Sequence, residues 1–459
     1  MKRNQGIRTG IGLLLPLALA ACETYSPLPL EQQPHLAAKV TELKAVPPPN
    51  WSDIGPIALD RPLNISTVAL LAVENNPDLV AARADRGVAE AQVVQAGLLP
   101  NPSFSGNYGF LRAGPGTVDS WTAGLSEDIR ALVTLGSQRK SAELGANQIE
   151  ADFLWQEWQV VGKARLLFID TVKQDRARQL LGEARNVLAD RMARDQKAVE
   201  QGNLTLSAIS PDLAALADID KQIADADRQA AQRRRDLDVL IGLDPSVRLD
   251  LASDIVVPRI DPPKIEEALH RSLMSRPDLV ALQLGYDAQE EKVYGAILAQ
   301  FPAFVLGGSG GHDNSAIYQI GPTVTMDLPI FNHNQGNIAI ERATRRKLHD
   351  EYTNRYNTAE SEIRGLLADL SLLQGQLAVA RDSAAEADRA RRSADDAYRA
   401  GLIDARAYVD LIVAALTREQ EVVSIEQSIL EQQVALATVT GTGMPAVDPL
   451  PAPAGASSS

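Results

Sequence analysis

Pro77-Asp78-Leu79-Val80-Ala81 recurs letter for letter as Pro277-Asp278-Leu279-Val280-Ala281. Other landmarks repeat around this pair in the same order. Pro102-x-Phe104 answers to Pro302-x-Phe304, Gly202 to Gly401, Ala214-Ala215-Leu216 to Ala414-Ala415-Leu416, and Gly242 to Gly441. The offset is about 200 residues, far beyond the roughly 20–50 residues of a solenoid repeat. The chain therefore reads as two copies of a whole structural unit, of the kind that packs around a pseudo-symmetric axis.

The 459 residues have room for two or three ordinary domains. Apolar residues make up 45% of the chain but aromatics only 4%. Alanine and leucine dominate, and both favour helix. The shortage of large rings points to long helices packed by small side chains. A net charge of −14 argues against a nucleic-acid partner, since phosphate binding needs a basic surface. The main basic run, Arg233-Arg234-Arg235, reads as a solvated helix face.

Cys22 is the only cysteine, so no intramolecular disulfide can form. Before it, Lys2, Arg3 and Arg8 form a basic segment, and residues 11–20 form an apolar one too short to span a bilayer. Leu19-Ala20-Ala21-Cys22 closes the stretch. The segment 1–21 resembles a bacterial lipoprotein signal peptide, which implies cleavage before Cys22 and lipid attachment to it. The alternative is an ordinary secretory signal with a chance cysteine. Acyl chains contribute about 0.8 kcal/mol per buried methylene, so several make a lasting anchor. Glu23 follows, and the same resemblance implies sorting to the outer membrane where this residue is not aspartate.

Residues 22–65 are rich in proline and read as a lipid-anchored tether. Repeat 1 spans 66–260. It begins with a helix capped by Asn64 or Ser66, broken and restarted at Asn76-Pro77. A β-hairpin at 101–130 and a long helical hairpin at 137–242 follow. Repeat 2 spans 261–444, with a helix, a β-hairpin at 302–329 and a long helical hairpin at 335–441. Residues 445–459 are a Pro/Ala/Ser tail and read as disordered.

The long helices carry coiled-coil-like seams. Leu154, Trp158, Val161, Phe168 and Val172 step by four, three, seven and four; Leu366, Leu370, Leu373, Leu377 and Ala380 by four, three, four and three. A helix over 137–200 would extend about 95 Å. Pro211 should end or bend the return helix near Ser210.

In the hairpins the period changes to two. Phe104 and Tyr108 alternate with Ser105 and Asn107, and Trp121, Ala123 and Leu125 with Thr122, Gly124 and Ser126. In the second copy, Tyr318, Ile320, Val324 and Met326 alternate with Gln319, Gly321, Thr323 and Thr325. Strands of about ten residues with one apolar and one polar face match transmembrane barrel strands. Two soluble hairpins on a helical body are the alternative. Four strands cannot close a barrel, and open edges are not tolerated in lipid. Transmembrane strands would therefore need several chains in one barrel. Three chains in cyclic symmetry give twelve strands and twelve long helices.

Gly97-Leu98-Leu99-Pro100-Asn101-Pro102 at the first strand, Asp327-Leu328-Pro329-Ile330-Phe331 after the last, and the glycine-centred helix turns resemble the TolC-like outer-membrane efflux proteins. The resemblance covers roughly residues 66–443. It implies a mainly α fold with a small membrane β part. Duplicated helical hairpins and two β-hairpins would form a trimeric α-barrel and β-barrel. It also implies an outer-membrane lipoprotein extending into the periplasm of a Gram-negative bacterium. The partners implied are a homotrimer, a periplasmic adaptor (membrane fusion) protein, an inner-membrane efflux pump and outer-membrane lipid.

A duct needs a wet wall and a gate. The wall is the polar strand face of Thr122, Ser126, Gln319, Thr323 and Thr325. The resemblance places the periplasmic gate near the helix-tip turns at Gly202 and Gly401, with two aspartates after the second tip. Asp410 matches the later one. The earlier position holds Ala407, and Asp404 is a substitute three residues before it. Arg406 can pair with an aspartate on a neighbouring helix. Three copies of Asp410 around an axis would concentrate negative potential. Solvated charges outside the tip are the alternative for Asp404 and Asp410.

Gly307-Gly308-Ser309-Gly310-Gly311 matches the nucleophile-elbow spacing, but it ends a strand without entering a helix, so catalysis is not expected. The five histidines show no metal-binding spacing, and no cofactor is implied. Gly441-Thr442-Gly443 reads as a helix-ending turn. The resulting expectation is a non-enzymatic outer-membrane channel of a tripartite efflux system, a passive exit duct driven by its pump. The outer-membrane component of a type I protein-secretion system shares this architecture. A lipid-anchored periplasmic structural coiled-coil protein is the alternative of another class. A wall of Thr, Ser and Gln is permissive, so cargo would be selected upstream.

Overall fold

The computed structural model describes residues 25–33, 36–46, 58–113 and 118–444. The signal segment, Cys22, the Gly114-Pro115-Gly116 turn and the 445–459 tail lie outside the described residues. The chain divides into two units, Met1–Leu36 and Ala37–Ser459. In the first, residues 25–33 are exposed and carry no helix or strand.

The second unit repeats one pattern twice. The first copy runs α1 (Ile65–Asn75), α2 (Pro77–Gly97), β1 (Ser103–Gly109), β2 (Ser120–Asp128), α3 (Ile129–Glu200) and α4 (Leu206–Leu240). The second runs α5 (Pro262–Met274), α6 (Pro277–Leu298), β3 (Phe304–His312), β4 (Tyr318–Met326), α7 (Gln335–Arg399) and α8 (Ala405–Thr440).

Local chemistry explains the boundaries. Asn64 caps α1 through a 2.8 Å bond from the Thr67 N–H, and Ser66 is not the cap. Asn76 caps α2, whose first residue is Pro77, where a missing N–H costs nothing. Asp128 is both the last residue of β2 and the cap of α3, accepting from the Arg130 and Ala131 N–H groups. The strand therefore feeds straight into helix. α3 starts at Ile129, not near Ser137 as expected, and its 72 residues extend about 108 Å.

Pro211 does not end the return helix. It lies inside α4 near the start, where its missing N–H removes one bond, and the helix continues to Leu240. The Arg233-Arg234-Arg235 run is not a purely solvated face either. Arg233 pairs with Asp170 of α3 at 3.2 Å, and Arg234 donates to the Leu249 carbonyl at 3.0 Å. Part of the expected tether is also docked. Ala37 and Leu63 form parallel bridges with Leu243 and Leu251, while Leu43 and Leu63 are buried. Their apolar side chains and backbone ladder hold these residues to the helical body.

α3 is the spine, packing against α1, α2, α4, α6 and α8. The duplication leaves two comparable cores. One joins Val68, Leu71, Phe168, Leu237 and Ile241, and the other Leu273, Leu279, Ile363, Leu370 and Leu436. A third cluster fixes α6 on α3 through Leu144, Ala151, Val280 and Leu284. A fourth lies toward the helix tips, with Ala184, Leu188, Ile219 and Val409.

The four strands form one antiparallel meander in the order β1-β2-β3-β4. Their seven to nine residues are slightly fewer than expected. Among the described residues, β1 and β4 are each paired on one side only. No described helix is long and apolar enough to cross a membrane.

Candidate functional site

Directly paired residues in an antiparallel ladder point to the same face. The register therefore assembles the wall residues without further assumption. Ser126 pairs with Gly307, and Gly307 with Thr323. Thr122 pairs with Gly311, and Gly311 with Gln319. Thr325 pairs with Val305, which pairs with Asp128. All five expected wall residues thus share one face, joined by Ser103, Ser105, Asn107 and Ser309. Val305 is its one large apolar side chain.

The opposite face is built from the alternate residues. Tyr108, Trp121, His312 and Tyr318 form one row across all four strands, with Trp121–His312 and His312–Tyr318 ring centroids 5.9 and 5.2 Å apart. Below it lie Gly106, Ala123, Gly310 and Ile320, then Phe104, Leu125, Gly308 and Pro322. Glu127 with Leu306 and Val324, and Phe304 with Met326, complete the face, on which Glu127 is the one carboxylate. Along β4 it extends about 27 Å at the usual rise per residue. Ile320 is 93% and Phe104 76% exposed. Leu98, Leu99, Phe301, Leu328, Ile330 and Phe331 add an exposed apolar collar at the helix–strand junctions. An apolar face of this extent needs a covering phase.

At the far end of the helices, Gly202 and Gly401 turn the chain with φ of +77° and +71°. The two turns are hydrogen-bonded alike. Gly202 N–H donates to Val199 and Gly401 N–H to Tyr398, at 2.9 and 3.0 Å. Nearby, three helices converge on one guanidinium. Arg191 of α3 donates to Asp410 of α8 at 2.6 Å and bonds Asp212 of α4. Arg406 lies 3.6 Å from Asp212 and donates to the Ala208 carbonyl at 3.3 Å. Arg191 and Asp212 are buried, while the Asp410 side chain is 61% exposed.

Burial opposes the Arg191 charge, but the bond to Asp410 and the two carboxylates outweigh it and hold the guanidinium above its ordinary value. Asp195, on the same helix, is pushed up by burial and by Asp212. Asp404 caps α8 through a 2.8 Å bond from the Ala407 N–H. Asp410 is therefore not an isolated acid: it is bonded to the buried Arg191.

Sequence reading missed Arg191 and Asp212. The duplication held a signal for Asp212, which follows Gly202 by ten residues as Asp410 follows Gly401 by nine. Nothing local marks Arg191. The Gly307–Gly311 run lies within β3, paired on both sides, with no strand-to-helix turn. No described group of His, Cys, Asp or Glu side chains is arranged to hold a metal ion.

Residues 268–442 match the family described as Outer membrane efflux protein. A comparison with curated protein sequences returns no match. Among solved structures, the chain is similar to the Campylobacter jejuni CmeC outer membrane channel. The identity is 18% and the TM-score 0.69, over 84% of this chain and 87% of that one. It is also similar to the open state of the Neisseria gonorrhoeae MtrE outer membrane channel, at 17% identity and TM-score 0.67, over 92% and 99%. The Vibrio cholerae outer membrane protein VceC matches at 16% identity and TM-score 0.67, over 82% and 96%. Residues 268–442 thus match the outer membrane efflux protein family, and the chain has the fold of the TolC-like outer-membrane channels.

Proposed function

We propose that this protein is the outer-membrane channel of a tripartite efflux system. Three copies share a twelve-stranded barrel in the outer membrane, lipid-anchored at Cys22, and continue it as a helical barrel into the periplasm. Substrates pass through it passively, driven by an inner-membrane pump through a periplasmic adaptor. The protein itself catalyses no reaction.

One observation carries this reading: a four-stranded sheet with one mainly apolar face, one polar face and, among the described residues, an edge strand on each side with its outer edge open. Lipid on the apolar face and water on the polar face satisfy both. Pairing β4 of one copy with β1 of the next removes the open edges, as a bilayer requires. At the roughly 40° strand tilt of such barrels, the length of about 27 Å along β4 gives a height of about 21 Å. The apolar collar at the helix–strand junctions extends it toward the roughly 25 Å apolar band, and the Tyr108–Tyr318 row suits an interfacial girdle.

The periplasmic gate is assigned to the tip, with Asp410 at the pore and Arg406 beside it; Asp404 contributes there chiefly as a helix cap. Purified protein in planar bilayers tests the reading. It should run as a detergent-stable trimer and conduct ions. Asp410→Ala should raise single-channel conductance or weaken cation preference. A soluble monomer after removal of the acyl groups would overturn the channel, and unchanged conductance and selectivity in Asp410→Ala would overturn the gate assignment.

A further inference from the structure

Away from the tip, Asp170 of α3 and Glu431 of α8 lie close together on the seam that joins the two repeats. The Gln427 side-chain amide ties them, donating to Asp170 at 3.1 Å and to Glu431 at 2.7 Å. Arg233 of α4 reaches the other Asp170 oxygen at 3.2 Å. The group lines a cavity of about 920 Å³, toward which Lys163 of α3, Asp236 of α4 and Asp78 of α2 also turn. Carboxyls outnumber cations around this cavity. Arg233 serves Asp170, whereas Glu431 is bonded by the neutral amide of Gln427.

Two carboxyls held this close do not both carry charge cheaply. Burial first, and Asp170 second, push Glu431 up to about 7, against the opposing pull of Gln427 and Arg233. The helices involved are the ones that meet at the tip, since α3 also carries Arg191 and α8 also carries Asp410.

We propose that the Asp170–Glu431 pair is a proton-operated latch on the seam between the repeats. With one shared proton it holds α8 against α3. Loss of that proton sets two like charges against each other and loosens the seam. Folded Glu431 keeps its proton to higher pH than an unconstrained glutamate does. The tightening is complete below about pH 4.5 and is lost as pH rises through about 7. For a seam that frees the carboxyl on opening, linkage gives about a tenfold rise in the open fraction between pH 6 and pH 8.

Hydrogen exchange on the full-length protein in detergent, corrected for the intrinsic pH dependence of exchange, tests the latch. Peptides covering Asp170 and Glu431 should open about tenfold more at pH 8 than at pH 6. Glu431→Gln should abolish the difference, and Asp170→Asn should reduce it to the part that burial alone sustains. Peptides at the Leu144–Leu284 contact serve as an internal control and should not respond. Equal wild-type protection at both pH values, a response shared by the control peptides, or persistence of the effect in Glu431→Gln would overturn the proposal. The pore consequence rests on the channel reading: conductance should be higher at pH 8 in the wild type and independent of pH in Glu431→Gln. Conductance that tracks pH equally in both overturns the latch. Absence of conductance at every pH counts against the channel, and the exchange result then judges the latch.

Discussion

Arg191 and Asp410 bond at 2.6 Å across 219 residues of sequence, joining α3 of the first repeat to α8 of the second. The two ends of this pair are unequal. Arg191 is buried and also holds the buried Asp212, while most of the Asp410 side chain is in water.

Their substitutions should therefore differ in cost. Arg191→Gln leaves the buried Asp212 carboxylate only Arg406, 3.6 Å away, and should destabilise the chain by about 2–4 kcal/mol. Asp410→Asn removes an exposed partner and should cost about 1 kcal/mol or less. Denaturant unfolding of the two variants in detergent checks this, and equal losses would show that Asp212 is stabilised by other means.

The sheet makes a two-sided prediction. Ile320→Lys puts a charge on the apolar face of β4, one row in from the aromatic girdle, and should cost about 1–2 kcal/mol of membrane stability. Thr323→Lys, three residues away on the polar face, should insert normally and change ion selectivity. Folding yield into lipid vesicles separates them. Comparable insertion of both variants would refute the assignment of the faces.

The turn glycines differ in their surroundings. Gly401 has φ +71° and open space where a Cβ would stand, so Gly401→Ala should cost about 1–2 kcal/mol of backbone strain alone. Gly441 has φ +72°, but its Cβ would meet the Trp158 ring at 2.5 Å. Gly441→Ala adds overpacking of roughly 1–3 kcal/mol to the same strain. Thermal unfolding should rank Gly441→Ala below Gly401→Ala.

Asp238 of α4 is fully buried, and neither carboxylate oxygen has a hydrogen-bond partner. Burial pushes its carboxyl up to about 6, against the pull of Arg234. The folded state thus holds this proton more tightly than the unfolded chain. Its contribution is fully present below about pH 4 and is lost as pH rises through about 6. Asp238→Asn should remove that dependence and raise stability above pH 6 by up to about 3 kcal/mol. Unfolding midpoints at pH 4 and pH 8 check it, and parallel pH profiles for the two proteins would exclude the effect.

Much of the site was legible because it depends on local rules. Strand alternation alone placed Thr122, Ser126, Gln319, Thr323 and Thr325 on one face. The tip turns were legible because Gly202 and Gly401 end two similar helical runs. Pro211 does not end its helix, because a proline inside the helix removes one bond and the flanking turns continue past it. Leu43 and Leu63 were assigned to a tether because proline content there outweighed the two apolar anchors. The start of α3 was placed late because Asp128 belongs to a strand and a helix at once, and period-two alternation gives no notice of that overlap.

The duplicated pentapeptide marks the limit of what sequence alone determined. It established two repeats, each restarting a helix at a proline, because covalent geometry acts alike on identical letters. It did not determine their surroundings. Asp78 is exposed, whereas Asp278 is buried and bonded to Arg276 and Arg355. Val80 is 50% exposed and Val280 only 8%. Burial and ion pairing depend on which distant helix lies opposite. The same dependence joined Arg191 to Asp410 and Asp170 to Glu431, contacts that exist only once the two repeats pack together.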